Sequence, residues 1–357
     1  MFRDKRKTLK RSLKRSLKGS LKRSLKGSSS NKKNIVKDEF MKLEYPYYKN
    51  EITFNKVLNN FEKLKNYHTK FIKYNPIRKR INNFQNRLVI IKINYDDVKD
   101  LMKVTDYFSE SCRVKCLNNL KEKLTPYEYF NKNKEIIYNK LSKTGDLSYE
   151  NISEHLFNNI SQCTLFNSTI MISILKLLKP KKILDPSSGW GDRLIASIAY
   201  GCSYTGVDPS NCMNPIYHEM IDKLAPKNRK EDYEILHGGF EDVTIKENSY
   251  DLVFTSPPFF DFELYENSET QSVSKFNTLE KWLSGFMFPL IDKSNKALTS
   301  KGYFGLYISD YTGVSFVNQI FKYINTNVKT LKYQGDIHFW NETNPKVVRT
   351  IFFWRKI

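Results

Sequence analysis

"KKILDPSSGWGDRLIASIAYG", residues 181–201, decides the fold. Ile183 and Leu184 read as the end of a buried strand that stops at Asp185, and residues 192–200 read as a helix. Between them Pro186 to Gly191 turn sharply, with Asp192 placed to cap the helix. Gly189 and Gly191 let a ligand approach the backbone closely, and the helix start offers free N–H groups. The turn has neither the GxGxxG of dinucleotide enzymes nor the GK[ST] of phosphate-binding loops. An acid at the strand end repels a pyrophosphate and suits a ligand with a positively charged amino group.

Outward from this turn the alternation is regular. Helices are expected at 168–178, 192–200, 214–224, 279–297 and 313–324. Strands are expected at 182–185, 203–208, 233–237, 250–255, 302–308, and near 328–334 and 348–355. Strand and helix in turn imply an α/β fold with a doubly wound, mostly parallel sheet, and the last two strands suggest an antiparallel finish. Asp208 ends the strand after the turn, where an acid commonly holds two ribose hydroxyls. A ligand with a cationic amino-acid end, a ribose and an adenine matches both acids, and S-adenosylmethionine has all three.

A second stretch, "YDLVFTSPPFFDFELY" at 250–265, runs a hydrophobic strand into two prolines. Pro257 and Pro258 fix two φ angles and remove two backbone donors, so the sheet cannot continue there. Alone, this is either an ordinary loop or a rigid corner held for a purpose. Asp261 and Glu263 beyond it either orient that loop or are solvated.

"DPSSGWGDR", "YTGVDPS" and "TSPPFF" together resemble the Rossmann-like S-adenosylmethionine-dependent methyltransferases. They look most like the amino-methyltransferases of DNA, whose catalytic corner reads [DNS]-P-P-[YF], and like a set of phage and large-DNA-virus DNA methylases. The resemblance covers about 165–357, weakens over "DYFSESCRVKC…LTPYEYF", and includes the final strand "RTIFFWRK". It implies that Asp185, Ser187, Gly189 and Gly191 line the methionine end of S-adenosyl-L-methionine and that Asp208 holds the ribose. Phe240 and Glu241 would flank the adenine. Ser256, Pro257, Pro258 and Phe259 would form the reaction centre.

An exocyclic amino group is a poor nucleophile because its lone pair is delocalised into the ring. In this reading Ser256 Oγ and the Pro257 carbonyl grip its N–H groups, and the prolines stiffen the corner so that little reorganisation is needed. Phe259 stacks on a base that has left the helix, or else is core. Ser256 stands where many adenine enzymes have Asp, a mild link to cytosine N4, so cytosine N4 and adenine N6 both stay open. Cytosine C5 methylation needs a cysteine nucleophile, usually after proline, and no Pro-Cys pair occurs. RNA or a protein glutamine is the alternative substrate, and an inactive cofactor-binding tether for nucleic acid the alternative class.

The chain has 357 residues and a net charge of +21, distributed unevenly. Residues 1–28 hold 12 Lys or Arg against one acid and repeat LKRS or LKGS from Leu9 to Ser28. A four-residue repeat drifts around a helix, and Gly19 and Gly27 weaken one further, so residues 1–30 read as a disordered basic tail suited to phosphates or nuclear import. Residues 31–160 read as a mainly helical accessory region with a helix at 53–73, a strand at 87–93 and Pro126 starting a helix; 161–357 form the catalytic domain. No apolar run reaches membrane-spanning length and no signal-peptide core is present. Five cysteines form no even framework, which suggests an intracellular, reducing compartment such as cytoplasm, nucleus or virus factory. The C-x3-C spacing of Cys112 and Cys116 lacks a second nearby pair, so no metal is expected.

Overall fold

The computed structural model describes residues 36–72, 87–93, 95–265, 269–341 and 348–357. The basic tail expected at 1–30 lies outside them. The chain divides into two compact units.

The smaller unit contains 36–47 and 126–161. Helices Pro126–Lys132, Lys134–Leu141 and Tyr149–Asn159 bury Phe130, Ile137, Tyr138, Ile152 and Leu156. Phe40 and Tyr45 lay their rings on Phe130, 6.3 and 5.4 Å between centroids. Pro126 starts its helix where its missing N–H costs nothing.

The larger unit is built on a nine-stranded sheet in the order β1-β2-β10-β11-β9-β7-β4-β5-β6. The strands are β1 Lys70–Ile72, β2 Arg87–Ile93, β4 Lys182–Asp185, β5 Ser203–Asp208, β6 Tyr233–His237, β7 Tyr250–Thr255, β9 Leu298–Tyr307, β10 Leu331–Asn341 and β11 Val348–Lys356. A separate ribbon pairs β3, Leu117–Asn118, with β8, Glu263–Leu264. β4, β5, β6, β7 and β9 are mutually parallel, and β11 lies antiparallel between β9 and β10. The doubly wound, mostly parallel sheet and its antiparallel finish are therefore present. Its central strands are β-rich in sequence and buried on both faces, as crossover helices require.

Helix Ser168–Leu178 shows how local chemistry sets these elements. Asn167 Oδ1 accepts from Thr169 N at 2.9 Å and caps its start. Lys179 ends it in the left-handed region, and Pro180 cannot continue it. Residues 168–175 are all buried because the helix lies in the core rather than on the surface. The expected helix 279–297 is a continuous helical run, loosened to π geometry over Leu283–Met287 just before Pro289.

Several expectations need correction. The expected helix at 53–73 is helical only over Phe54–Lys65, and Lys70–Ile72 leave to pair antiparallel with β2. β2 in turn pairs parallel with β10, so residues 48–125 group with the sheet rather than with an accessory region. Residues 95–113 form one long helix. The cysteines do form a framework: Cys112 bonds Cys212, Cys116 bonds Cys163, and Cys202 is a buried free thiol.

Candidate functional site

Chain order runs from β4 outward through β5 to β6, then returns to β7 on the other side of β4 and on to β9. The order reverses between β4 and β7, and crevices at such reversals, outside the carboxyl ends of the strands, are where open α/β sheets bind ligands. The turn after β4 and the proline corner after β7 both leave the sheet at this point. Leu184 pairs with Val253, so Asp185 at the end of β4 stands level with Phe254, one residue before the end of β7, and Asp185 also pairs with Gly206 of β5. Ser256 and Asp208 therefore flank the Asp185 turn from either side, about 10 Å apart across two strand spacings.

The turn after β4 is held from within. Asp185 is fully buried and accepts from Arg193 Nε at 2.7 Å, Arg193 Nη2 at 3.3 Å and Tyr204 Oη at 2.8 Å. Arg193 also donates to the Ser187 carbonyl and lays its guanidinium 5.6 Å from the centroid of Phe166. Asp185 was expected to face the cofactor, but its carboxylate is spent on these three donors and points inward. Ser187 is half-buried, and its N–H reaches Asp185 Oδ1 at 3.3 Å. The sequence signal for Arg193 was available, since "GDR" places it second in the helix, but its partner was not.

Gly191, not Asp192, occupies the N-cap, with φ 87° in the left-handed region, and a Cβ there would meet Met220 Sδ at 2.6 Å. Asp192 is instead the first helical residue, buried against Ser168 at 3.5 Å. Burial pushes its carboxyl up to about 7, against hydrogen bonding by Thr105 and the nearby Arg193. Gly206 lets the turn lie on β5: a Cβ there would come within 2.3 Å of Ser188 Oγ.

Asp208 ends β5 beside the same turn. Its Oδ2 accepts from Gly189 N at 2.8 Å and its Oδ1 from Ser210 N at 3.0 Å. Burial raises its carboxyl to about 6, and these two amide donors restrain the rise. Tyr217, which sequence reasoning missed, donates to the Gly189 carbonyl from the helix Met213–Leu224.

Phe240 and Glu241 follow β6. The Phe240 ring is a core side chain, 2% exposed, so only its backbone can line a ligand. Lys293 holds this segment by donating to the carbonyls of Phe240, Glu241 and Val243 at 2.6, 2.9 and 2.8 Å. Glu241 is half-buried and pairs with Lys275 at 2.9 Å.

The corner after β7 is bonded differently. Among the described residues no donor reaches Ser256 Oγ or the Pro257 carbonyl, and Ser256 is half-buried. Both X–Pro bonds are trans. Phe259 is half-buried, 5.9 Å from Tyr307 and 6.3 Å from Phe262, and Tyr307 also meets Phe166 at 5.5 Å and Phe339 at 5.6 Å. Neither later acid is simply solvated. Asp261 accepts from Tyr311, while Glu263 is buried and accepts from Thr164 N at 3.1 Å and from Tyr265. Burial raises the Glu263 carboxyl above the ordinary range. Tyr265 sits 5.8 Å from Trp190, joining the loop beyond the corner to the glycine turn.

No family model matches the chain, and no curated protein matches it. Among solved structures it is similar to TrmN from Thermus thermophilus, at 13% identity and TM-score 0.38 over 54% of this chain and 49% of that one. The chain thus spans about half the length of that protein. It is also similar to a SAM-dependent methyltransferase from Aquifex aeolicus, at 13% identity and TM-score 0.36 over 52% and 89%. A third is the 1,6-didemethyltoxoflavin-N1-methyltransferase of Burkholderia thailandensis, solved with 1,6-didemethyltoxoflavin and S-adenosylhomocysteine. Identity there is 10% and the TM-score 0.39, over 66% and 92%. Among the described residues no helix is long and apolar enough to cross a membrane.

Proposed function

We propose that the chain transfers a methyl group from S-adenosyl-L-methionine to an exocyclic amino group of a nucleic-acid base, cytosine N4 or adenine N6, with DNA as the polymer. The observation that carries this reading is the pair of acceptors, Ser256 Oγ and the Pro257 carbonyl, that no donor reaches among the described residues, at the point where the sheet order reverses.

Two acceptors on a corner fixed by Pro257 and Pro258 suit an amino group with two N–H bonds. Gripping both hydrogens turns the nitrogen lone pair out of conjugation, and a stiff corner does so with little reorganisation. A half-buried Phe259, backed by Tyr307 and Phe262, supplies a face on which a flipped base can stack. The cofactor supplies an electrophilic methyl on sulfur.

The residues beside the corner fit that cofactor in part. Each Asp208 oxygen accepts one amide N–H and keeps acceptor capacity for a ribose hydroxyl. Asp185 does not fit a direct contact with the methionine ammonium, because Arg193 balances its charge. Its role is to hold Ser187 in place, through the Ser187 N–H and through Arg193, which donates to the Ser187 carbonyl. The basic tail adds phosphate contact. Deleting residues 1–28 should flatten the salt dependence of DNA binding, read as the slope of log affinity against log salt.

Mass spectrometry of nucleosides from DNA of cells making the protein tests the reading. N4-methylcytosine or N6-methyladenine should appear with the natural chain and be absent with Ser256→Ala. Purified protein incubated with labelled cofactor should label DNA; label only in RNA or in protein glutamine replaces the substrate, and label in none removes the transferase.

A further inference from the structure

We propose that Cys116, Cys163 and Glu263 form a binding site for a thiophilic divalent cation of the zinc class, opened when the Cys116–Cys163 disulfide is reduced. Their three ligand atoms lie within 4.8 Å of one another, and all three residues are buried. They come from three separate segments: the link between the helix Tyr95–Arg113 and β3, the approach to helix Ser168–Leu178, and β8. The β3–β8 ladder sets Asn118 opposite Glu263, and Cys116, two residues before Asn118, lies diagonally from Glu263 along that ladder.

The carboxylate is also oriented, as ligating carboxylates are, by outer partners: Thr164 N at 3.1 Å and Tyr265. Two thiolates and one carboxylate are a donor set for zinc rather than for calcium or magnesium. Zn–S bonds of ~2.3 Å in a tetrahedron place two sulfurs ~3.8 Å apart. The Cα atoms stand 6.0 Å apart, so rotation about the two Cα–Cβ bonds supplies that spacing. Three protein ligands leave the fourth position to water.

The chemistry balances. A phosphine with one water, or a dithiol, gives two electrons to the S–S bond, which breaks, and each sulfur takes up one proton from that water or dithiol, the water's oxygen passing to the phosphine. Cation binding then expels those two protons, and the reductant leaves as phosphine oxide or disulfide. The S–S bond joins the two segments that flank Glu263, and a bound cation would tie Glu263, in the segment past the proline corner, to both of them. Asn119 N and Nδ2 continue that fastening to the carbonyls of Phe262 and Asp261 at 3.1 and 3.0 Å. The site stands whether or not the corner transfers a methyl group.

The test uses the full chain, reduced with a phosphine, desalted without oxygen and titrated with Co²⁺. One equivalent should bind with sulfur-to-metal charge-transfer absorption, be displaced by Zn²⁺, and be absent from the oxidised protein. Cys116→Ser should abolish the band and Glu263→Gln weaken binding at least ~10-fold, while the double variant Cys112→Ser, Cys212→Ser keeps it. On the natural reduced chain, Zn²⁺ should protect Cys116 and Cys163 from iodoacetamide and leave Cys112 and Cys212 reactive, which needs no variant to fold. No Co²⁺ band in the reduced protein, an equal band in the oxidised one, or equal alkylation with and without Zn²⁺ overturns the site. A band that survives Cys116→Ser but is lost with the Cys112 and Cys212 pair overturns it too.

Discussion

The glycine turn after β4 and the proline corner after β7 leave adjacent strands and are built on opposite plans. At the turn nearly every polar atom has an internal partner, from the Asp185–Arg193 pair to the amides held by Asp208. At the corner rigidity comes from two rings in the main chain, and among the described residues no donor reaches the hydroxyl and carbonyl beside them. A site can thus be stiffened by saturating its hydrogen bonds or by restricting its torsions. Only the second way leaves acceptors free for an incoming group. Substitutions at the turn should therefore cost stability, and substitutions at the corner should cost chemistry.

The largest expected effect is on the buried ion pair. Arg193→Met leaves Asp185 charged and unpaired in the core and should lower unfolding free energy by about 3–5 kcal/mol in urea titrations. Ser256→Ala should change unfolding free energy by under ~1 kcal/mol, yet lower methyl transfer ~100-fold or more. Equal stability losses at the two places would break the contrast.

Asp192 sharpens it. Its native carboxyl titrates at about 7, far above its ordinary value near 3.8, so the folded chain holds that proton more tightly than the unfolded one. Its contribution is whole below about pH 4 and is lost as the pH rises to about 7, on the order of a few kcal/mol. Asp192→Asn should remove that slope from a plot of unfolding free energy against pH.

The smallest effect belongs to Asp208. With its carboxyl at about 6, acidification through that value neutralises the group that would accept ribose hydroxyls, so cofactor affinity should fall as the medium turns acid. Asp208→Asn should weaken binding ~10-fold and flatten this dependence in calorimetric titrations.

Most of the sheet was legible because its signals are local. Ile183 to Asp185, the turn, and the strand before Ser256 carry their own punctuation in glycine and proline. What escaped were facts about distant partners. Phe71 and Ile72 continue the apolar spacing of the helix before them, and only pairing with β2 draws them into a strand. Asp185 reads as ligand-facing until Tyr204, on the next strand, is seen to reach it. Phe240 looks like a pocket wall until the fold places its ring in the core. The cysteine pairs span separations of 100 and 47 residues, and an odd total hid them.

The parallel pairing of β2 with β10 has a consequence for the order of events during synthesis. Residues 87–93 leave the ribosome long before residues 336–341 exist, so the edge of this strand opposite β1 waits unpaired through most of translation. The loop it closes is among the longest the chain can make, and contacts of such separation form late. Fragments ending before β10 should carry a bare apolar edge and self-associate, which makes the C-terminal strands the protein's safeguard against aggregation.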